Sequence, residues 1–396
     1  MSDALPILLS DLIEQRPDAL PDGAVHHRAA HTSRRDFLVR ASALAVAIPS
    51  AGAALAACST PSERSPKDSA RATAASGSQA PAIPQNADSR LDTAHGTAGH
   101  TGSSATASTA SGSAAAPYRR FDPALPPLSR ERTLKLQWTA RELPVRISPT
   151  AIVAAWTFEG DIPGPIVHCR LGDTIEFTLT NRGVIPHSMD FHAAQIDPKV
   201  AFRSVVPGES ITYTFKPKYA GAFMYHCGTG PVLMHIGSGM YGALIVDPAA
   251  PLPPAKEFVL VESEYYLGAQ GPGGVQAFDF NKMLATLPDL VAFNGRPSQY
   301  QTDPIHVKVG DRVRFYVVSA GPSHPCNFHI VGEQFDTVYL GAPPTTAIRG
   351  VQTFTVAPGG GMVFEFLADV PGEFPFVNHG FGHGQKGAIG ILVVDA

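Results

Sequence analysis

Thiol, imidazole and thioether side chains occur close together in one short stretch of the chain, residues 225–240. Cys227 is followed eight residues later by His235, and Met240 lies five residues beyond His235. These are the ligands of a blue copper site, because sulfur suits copper(I) and imidazole suits copper(II). A second imidazole has to come from elsewhere in the chain, and His187 is the candidate. The stretch therefore predicts a copper site that stores one electron.

The alternative interpretation is a buried structural cysteine with a histidine and a methionine nearby in the core. Three features favour the metal site: a predicted strand before Cys227, glycines between the ligands, and a predicted strand at 241–246 directly after Met240. Together they form a strand–turn–strand frame that would hold the ligands at one end of a sheet.

A second metal site is indicated by His226, which lies directly before Cys227. Adjacent side chains of a strand point to opposite faces, so if Cys227 points into its domain, His226 points out of it. His192 and His379 are candidates to join His226. Three neutral imidazoles with an open fourth position form a catalytic metal site. The bond between residues 226 and 227 would give an electron a short covalent path between two metals.

Short apolar or alternating runs punctuated by glycine and proline predict an all-β fold from residue 118 onward. In the first half, strands are predicted at 134–139, 166–168, 174–180, 210–216, 221–226 and 243–246. Short helices are predicted within 198–203 and 279–287.

The pattern then repeats. His187 and His192 are five residues apart, as are His324 and His329. The repeat predicts two tandem Greek-key β-sandwich domains, residues 118–250 and 251–396. The second domain has no counterpart of Cys227 or Met240, so no blue copper site is predicted there.

Composition narrows the functional classes. The chain has 396 residues and a formal charge of −4, and it lacks the excess of basic residues typical of nucleic-acid binding. Its four cysteines form no CxxC pair, so neither a zinc ribbon nor a disulfide scaffold is predicted.

The N-terminal residues 1–58 resemble an export signal. Arg34 and Arg35 form a twin-arginine motif, and the apolar stretch 38–57 follows it. Cys58 ends a segment similar to a bacterial lipobox, which predicts lipid attachment to its thiol and a periplasmic or cell-surface location. A plain export signal or a retained membrane helix is the alternative. Residues 59–117 are rich in Ser, Ala, Gly and Pro and predict a disordered linker.

Over residues 145–396 the chain resembles the copper-containing nitrite reductases, within the multicopper oxidase and cupredoxin family. The resemblance rests on four segments: residues 186–192, 225–240, 326–332 and 377–379. It implies a cupredoxin fold for both domains. It also implies a dissimilatory enzyme of denitrification that reduces nitrite to nitric oxide with one electron, which passes from a type 1 to a type 2 copper.

The resemblance also assigns the ligands of two coppers per chain. The type 1 copper is assigned to His187, Cys227, His235 and Met240. The type 2 copper is assigned to His192, His226 and His379. The family is a homotrimer with the type 2 copper between subunits, which would explain why His226 points outward. Since no haem motif occurs, the electron donor is expected to be another protein, of the cupredoxin or cytochrome c type.

The resemblance makes Asp190 and His329 the catalytic pair beside the type 2 copper, and Val331 an apolar wall of the substrate pocket. Strand alternation also places Asp190 on the same face as His192. The alternatives are a loop carboxylate that caps local backbone for Asp190 and a hydrogen-bonded core histidine for His329. His324 and His383 have no assigned role and are expected to be surface residues or to support the ligands.

Two other functions compete with the reductase. A two-domain oxidase of the laccase type needs His-x-His pairs for a trinuclear copper cluster, and the predicted folded region contains none. A cupredoxin-like electron carrier or copper-storage protein needs only the type 1 ligands and leaves three histidines unexplained. The copper content distinguishes the three functions: one per chain for the carrier, two for the reductase and four for the oxidase.

Overall fold

The computed structural model describes residues 115–341, 343 and 346–396. The predicted export signal with Cys58, and the predicted linker up to residue 114, lie outside the described residues. Within the described part of the chain, no helix has the length and apolar character needed to cross a membrane.

The described residues form mainly β-strands. In chain order the first eleven strands are β1 (Thr133–Arg146), β2 (Ile152–Phe158), β3 (Val167–Arg170), β4 (Thr174–Asn181), β5 (Asp190–Phe191), β6 (Ser210–Phe215), β7 (Gly221–His226), β8 (Tyr241–Asp247), β9 (Lys256–Tyr265), β10 (Leu267–Gln270) and β11 (Val275–Phe278). The strands that follow are β12 (Leu290–Phe293), β13 (Ile305–Lys308), β14 (Arg312–Gly321), β15 (Cys326–Ile330), β16 (Phe335–Tyr339), β17 (Ala347–Val351), β18 (Thr353–Val356), β19 (Gly361–Leu367), β20 (Gly372–Asn378) and β21 (Ile389–Asp395).

The helices are short and lie in the connections. Among the described residues they are α1 (Pro198–Ala201), α2 (Val232–Gly237), α3 (Phe280–Leu284), α4 (Gln299–Thr302) and α5 (Phe381–Gln385), with one 3₁₀ turn at Pro272–Gly274. Helices α1 and α3 lie inside the two segments predicted to be helical. Helix α2 was not predicted: it begins after Pro231 and carries His235, where the sequence indicated only a glycine-rich turn.

The strands of the described residues form four sheets, two in each sandwich. In the first sandwich the strand orders are β10-β11-β2-β1-β4-β6 and β3-β8-β7-β5. In the second sandwich they are β12-β9-β14-β19-β16-β17 and β13-β21-β20-β15-β18. The parallel pairs β1/β4 and β3/β8 correspond to β9/β14 and β13/β21. The prediction of an all-β fold with two cupredoxin-like sandwiches is confirmed.

Each sandwich has its own apolar core, and a third core joins the two. The joining core packs Ala222 and Ile245 of the first sandwich against Val261 of the second. The backbones come close here: a β-carbon on Gly361 would collide with the carbonyl oxygen of Ala222. A buried apolar contact of this kind holds the two sandwiches in one orientation.

Each predicted domain interval also contributes a segment to the other sandwich. Strand β11 extends the first sandwich by pairing Val275 with Ile152 of β2. Conversely, Ala124 forms an isolated bridge with Phe258 of β9. These exchanges tie the two halves together beyond their shared core.

Candidate metal centres

The first centre is a buried group of one thiol and two imidazoles at the end of the first sandwich. The Sγ atom of Cys227 lies 3.2 Å from Nδ1 of His235. Nδ1 of His187 lies 3.3 Å from the same nitrogen. All three side chains are buried, and their ligand atoms lie within 4.8 Å of one another. The structure thus brings together the three strongest ligands predicted for the type 1 copper.

The backbone around this centre is closed by hydrogen bonds between the ligand residues. Cys227 directly follows β7, and its N–H donates to the carbonyl of Met240, which directly precedes β8 (3.1 Å). The N–H of Met240 donates in turn to the carbonyl of His235 at the end of α2 (3.1 Å). The Met240 side chain is fully buried in the same core as Cys227. The backbone of the predicted fourth ligand is therefore tied to that of Cys227 and of His235.

Glu142 orients one of the histidines, and sequence reasoning did not identify it. Nε2 of His187 donates to Oε1 of Glu142 over 2.9 Å, so Nδ1 is left free to bind a metal. The other oxygen of Glu142 accepts from the N–H of Val184 (2.9 Å). Glu142 precedes His187 by 45 residues, and no local spacing connects them.

The electrostatics of this group favour a thiolate. Burial alone would raise the pKa of Cys227, but hydrogen bonds with the rings of His187 and His235 hold that pKa well below the ordinary thiol value. For His187 the effects have the opposite signs. Burial by itself would lower the pKa of His187, but the hydrogen bonds to Cys227 and Glu142 are stronger and raise that pKa above its usual value. The thiolate is the form of cysteine that binds metals.

The second centre is formed by Asp190, His192 and His226, whose ligand atoms also lie within 4.8 Å of one another. The two Nε2 atoms are 3.0 Å apart. The Nδ1 of His192 donates to the carbonyl of Gly359 (2.9 Å), and that of His226 to the carbonyl of Cys227 (3.0 Å). In the neutral rings both Nε2 lone pairs therefore face each other, an arrangement that a bound cation would stabilise.

Strand alternation explains how the two centres share a short segment. In β5, Asp190 pairs with His226 of β7, while Phe191 between Asp190 and His192 is fully buried. Cys227 points into the core, and the half-buried His226 points away from it. Oδ2 of Asp190 lies 3.8 Å from Nε2 of His226. This agrees with the expectation that Asp190 shares a face with His192.

The remaining residues predicted for the second metal site, His329, His379 and Val331, lie in the second sandwich. His329 and His379 have ring centroids 5.2 Å apart and line an open cavity of about 570 Å³. Nδ1 of His329 contacts the carbonyl oxygen of Gln352 (2.6 Å), so Nε2 remains available in the cavity. Val331 is 43% exposed and precedes Gly332, which also lines the cavity.

Within the described part of this single chain, His379 does not belong to the group formed by His192 and His226. The rings of His192 and His379 are instead both exposed at the surface. The structure thus places the ligands predicted for the type 2 copper in two separate groups, two histidines on the first sandwich and one on the second.

Comparisons with known proteins show the family of this chain. Residues 142–251 and 271–396 each match the multicopper oxidase family. A copper nitrite reductase structure from Nitrosomonas europaea superposes with a TM-score of 0.61 at 35% identity, over 66% of this chain and 94% of that one. The copper-containing nitrite reductase of Cereibacter sphaeroides is 30% identical over 281 residues, 64% of this chain and 74% of that protein. This chain belongs to the copper-containing nitrite reductase family, within the multicopper oxidases.

Another member of the family is more similar in sequence but matches over a smaller share of its length. The copper-containing nitrite reductase of Neisseria meningitidis serogroup A is 39% identical over 247 residues. The match covers 61% of this chain and 64% of that protein, so this chain spans somewhat less than two thirds of the length of that relative. The family resemblance predicted from four sequence segments is confirmed.

Replacing Glu142 with Gln tests whether this carboxylate orients a ligand of the copper centre of this family member. Gln can accept the hydrogen bond from His187 but removes the charge that raises the basicity of the ring. We expect copper affinity of the first centre to fall by about 10- to 100-fold, the usual effect of losing a supporting group. Titration of the visible absorption with copper measures this. Glu176→Gln on the exposed side of β4 is the control, and equal affinity in both variants would contradict the role.

Proposed function

We propose that this chain is a copper-dependent dissimilatory nitrite reductase that converts nitrite, one electron and two protons into nitric oxide and water. The observation that carries the proposal is the adjacency of two donor groups of different chemistry. A buried thiolate–imidazole group and an outward imidazole pair meet at the neighbouring residues Cys227 and His226. One group is suited to store an electron and the other to bind a small anion beside it.

The donor sets fit copper at both places. His187, Cys227, His235 and Met240 combine soft sulfur with imidazole, as a type 1 copper requires. His192, His226 and His379 offer three imidazoles, as a type 2 copper requires, which makes two coppers per chain. Bound copper would supply one-electron storage at the first site and Lewis-acid activation of nitrite at the second.

The chain itself supplies the connection between the sites. The ring of His226 donates from Nδ1 to the carbonyl of Cys227 (3.0 Å), in addition to the covalent backbone between them. His226 is the last residue of β7 and Cys227 follows it directly, and β7 is held between β5 and β8. A rigid link of this length favours rapid electron transfer, because neither group has to move.

Asp190 and His329 are the residues we propose to deliver the two protons. The half-buried Asp190 carboxylate lies beside His226, and among the described residues its side chain makes no hydrogen bond that caps local backbone. His329 presents Nε2 to the cavity because Nδ1 is engaged by Gln352. A carboxylate and an imidazole on opposite sides of a bound anion can act as general acids. Val331 would restrict water above the anion.

The separation of His379 from His192 and His226 supports a homotrimer. The exposed His379 of one subunit would complete the site on the first sandwich of the next subunit, and its cavity would bring His329 opposite Asp190. Closed rings of identical subunits place one surface of each chain against a different surface of its neighbour, as this arrangement needs. An external protein, a cupredoxin or a cytochrome c, would deliver the electrons.

We also propose that the protein is exported by the twin-arginine route and anchored by lipid at Cys58, in the periplasm or at the cell surface. This rests on the signal-like residues 1–58 alone. The long linker would let the two sandwiches reach a soluble electron donor at some distance from the membrane.

The decisive experiment is a copper count combined with an anaerobic assay of nitric oxide from nitrite, using the purified full-length chain and a reduced artificial donor. We expect two coppers per chain and nitric oxide. Cys227→Ala should remove the intense visible absorption and the activity while the protein stays folded by circular dichroism. One copper per chain without nitric oxide would instead identify an electron carrier, and oxygen consumption with four coppers an oxidase.

Mixing two inactive variants tests the shared site. His192→Ala and His379→Ala should each lose the type 2 copper and activity, while their type 1 absorption is retained. Trimers assembled from an equal mixture should recover roughly one quarter of the wild-type activity, since that share of interfaces pairs two intact halves. Complete inactivity of well-formed mixed trimers would show that the ligands come from one chain.

Asp190→Asn tests proton delivery without changing the size of the side chain. The amide cannot donate an acidic proton, so we expect turnover to fall by about 100-fold or more at neutral pH. Copper content and type 1 absorption should match those of the wild type. Asp197→Asn is the control, because Asp197 is exposed and only caps α1. Unchanged turnover in Asp190→Asn would rule out the proposed role.

A further inference from the structure

The second sandwich contains a position-by-position counterpart of the type 1 centre. In the first sandwich, Ala140 of β1 pairs with Phe158 of β2. In the second, Glu262 of β9 pairs with Phe293 of β12. Each phenylalanine also forms an isolated bridge to the residue three positions later. These two strand pairs therefore share one register, which allows residues of the two domains to be matched individually.

The matched register makes Glu142 and Glu264 equivalent. Glu142 lies two residues after Ala140, and Glu264 lies two residues after Glu262. Both carboxylates contact a histidine that the internal repeat also matches. Oε1 of Glu142 accepts from Nε2 of His187 at 2.9 Å. Oε1 of Glu264 lies 2.5 Å from Nδ1 of His324. Glu264 thus faces Nδ1 of its histidine, whereas Glu142 faces Nε2. In the first sandwich, Nδ1 is the nitrogen that points to the metal position.

The backbone hydrogen bonds extend the match to the sulfur ligands. The N–H of Cys227 donates to the carbonyl of Met240 (3.1 Å), and the N–H of Asn378 donates to the carbonyl of Ala388 (3.0 Å). Asn378 therefore occupies the cysteine position and Ala388 the methionine position. Both sulfur ligands are replaced, by an amide and by a methyl group.

The second imidazole is retained. Met240 donates from its N–H to the carbonyl of His235, and Ala388 donates to the carbonyl of His383, in both cases over 3.1 Å. His235 lies in α2 and His383 in the matching helix α5. The rings of His324 and His383 pack edge to face with centroids 4.7 Å apart.

The retained residues form a compact donor set of two imidazoles and one carboxylate. Ligand atoms of Glu264, His324 and His383 lie within 4.8 Å of one another. Glu264 is buried, and its other oxygen accepts from the hydroxyl of Tyr266 (2.6 Å) and the N–H of Ser323 (2.9 Å). These bonds hold the carboxylate still. Oε1 accepts the backbone N–H of His324 (2.9 Å) and also faces the ring of that histidine.

Asn378 keeps one nitrogen of His383 free. The side-chain oxygen Oδ1 of Asn378 accepts from the N–H of Gly380 (2.9 Å), which fixes the orientation of the side-chain amide. The two amide hydrogens then go to Glu262 (2.8 Å) and to the carbonyl of Pro325 (3.1 Å). Nδ1 of His383, 3.2 Å from the amide nitrogen, therefore retains a lone pair without a dedicated donor.

We propose that Glu264, His324 and His383 bind a divalent transition-metal cation, for which Zn²⁺ is a suitable match. Loss of both sulfur ligands removes the preference for copper(I), and two imidazoles with one carboxylate are a common zinc donor set. Ligands of a tetrahedral zinc lie roughly 3.3 Å apart, so the His324–Glu264 contact would open by less than about 1 Å. The first sandwich would hold a redox metal and the second a metal that does not change oxidation state.

Zinc content after copper loading tests the proposal. The full-length protein, with its copper sites filled, is dialysed against Zn²⁺ and then metal-free buffer, and zinc and copper per chain are measured. We expect one tightly bound zinc per chain with no loss of copper. Glu264→Gln, His324→Ala and His383→Ala should each weaken zinc binding by about tenfold or more. Their type 1 absorption should be unchanged.

His306→Ala is the matched control, because His306 is an exposed histidine 3.3 Å from the carboxylate of Asp395 and belongs to no three-residue group among the described residues. It should bind zinc as the wild type does. Absence of zinc from the wild type, equal zinc in all variants, or zinc uptake matched by copper loss would each overturn the proposal. If His324→Ala fails to fold, His383→Gln, which preserves side-chain size, decides the question by the same measurement.

Discussion

Adjacent side chains at the end of β7 point to opposite faces of the sheet, and both metal centres of the first sandwich depend on this property of a strand. The Cys227 side chain enters the core, where His187 and His235 stabilise its thiolate. The His226 side chain leaves the core and meets His192. An inserted or deleted residue at this point would exchange the two faces and separate the soft ligands from each other.

Supporting hydrogen bonds decide which atoms of these side chains can bind a metal. Glu142 engages Nε2 of His187, whereas backbone carbonyls engage Nδ1 of His192 and His226. The buried centre thereby presents an Nδ1 atom and the outward centre presents Nε2 atoms. Nδ1 ligation brings the ring close to the backbone and suits a tight core, while Nε2 extends further and suits a surface shared with another molecule.

Comparing the two sandwiches shows how the same frame can hold different chemistry. Strand register and backbone hydrogen bonds place Asn378 and Ala388 where the first sandwich has Cys227 and Met240. The carboxylate beside the histidine is present in both, as Glu142 and Glu264. Because the frame is held by backbone pairing and apolar cores, the side chains at its end can change without loss of the fold.

The sequence by itself determined the all-β class, the positions of six strands of the first sandwich, the repeat and the residues with ligand chemistry, because alternation and ligand spacing are local properties. It did not predict helix α2, the contact of Glu142 with His187, or the meeting of His324, His383 and Glu264. Only the tertiary structure decided these. Glu142 and Glu264 reach their histidines from strands 45 and 60 residues away, and only the sheet register brings them together. The separation of His379 from His192 is likewise set by how the two sandwiches pack.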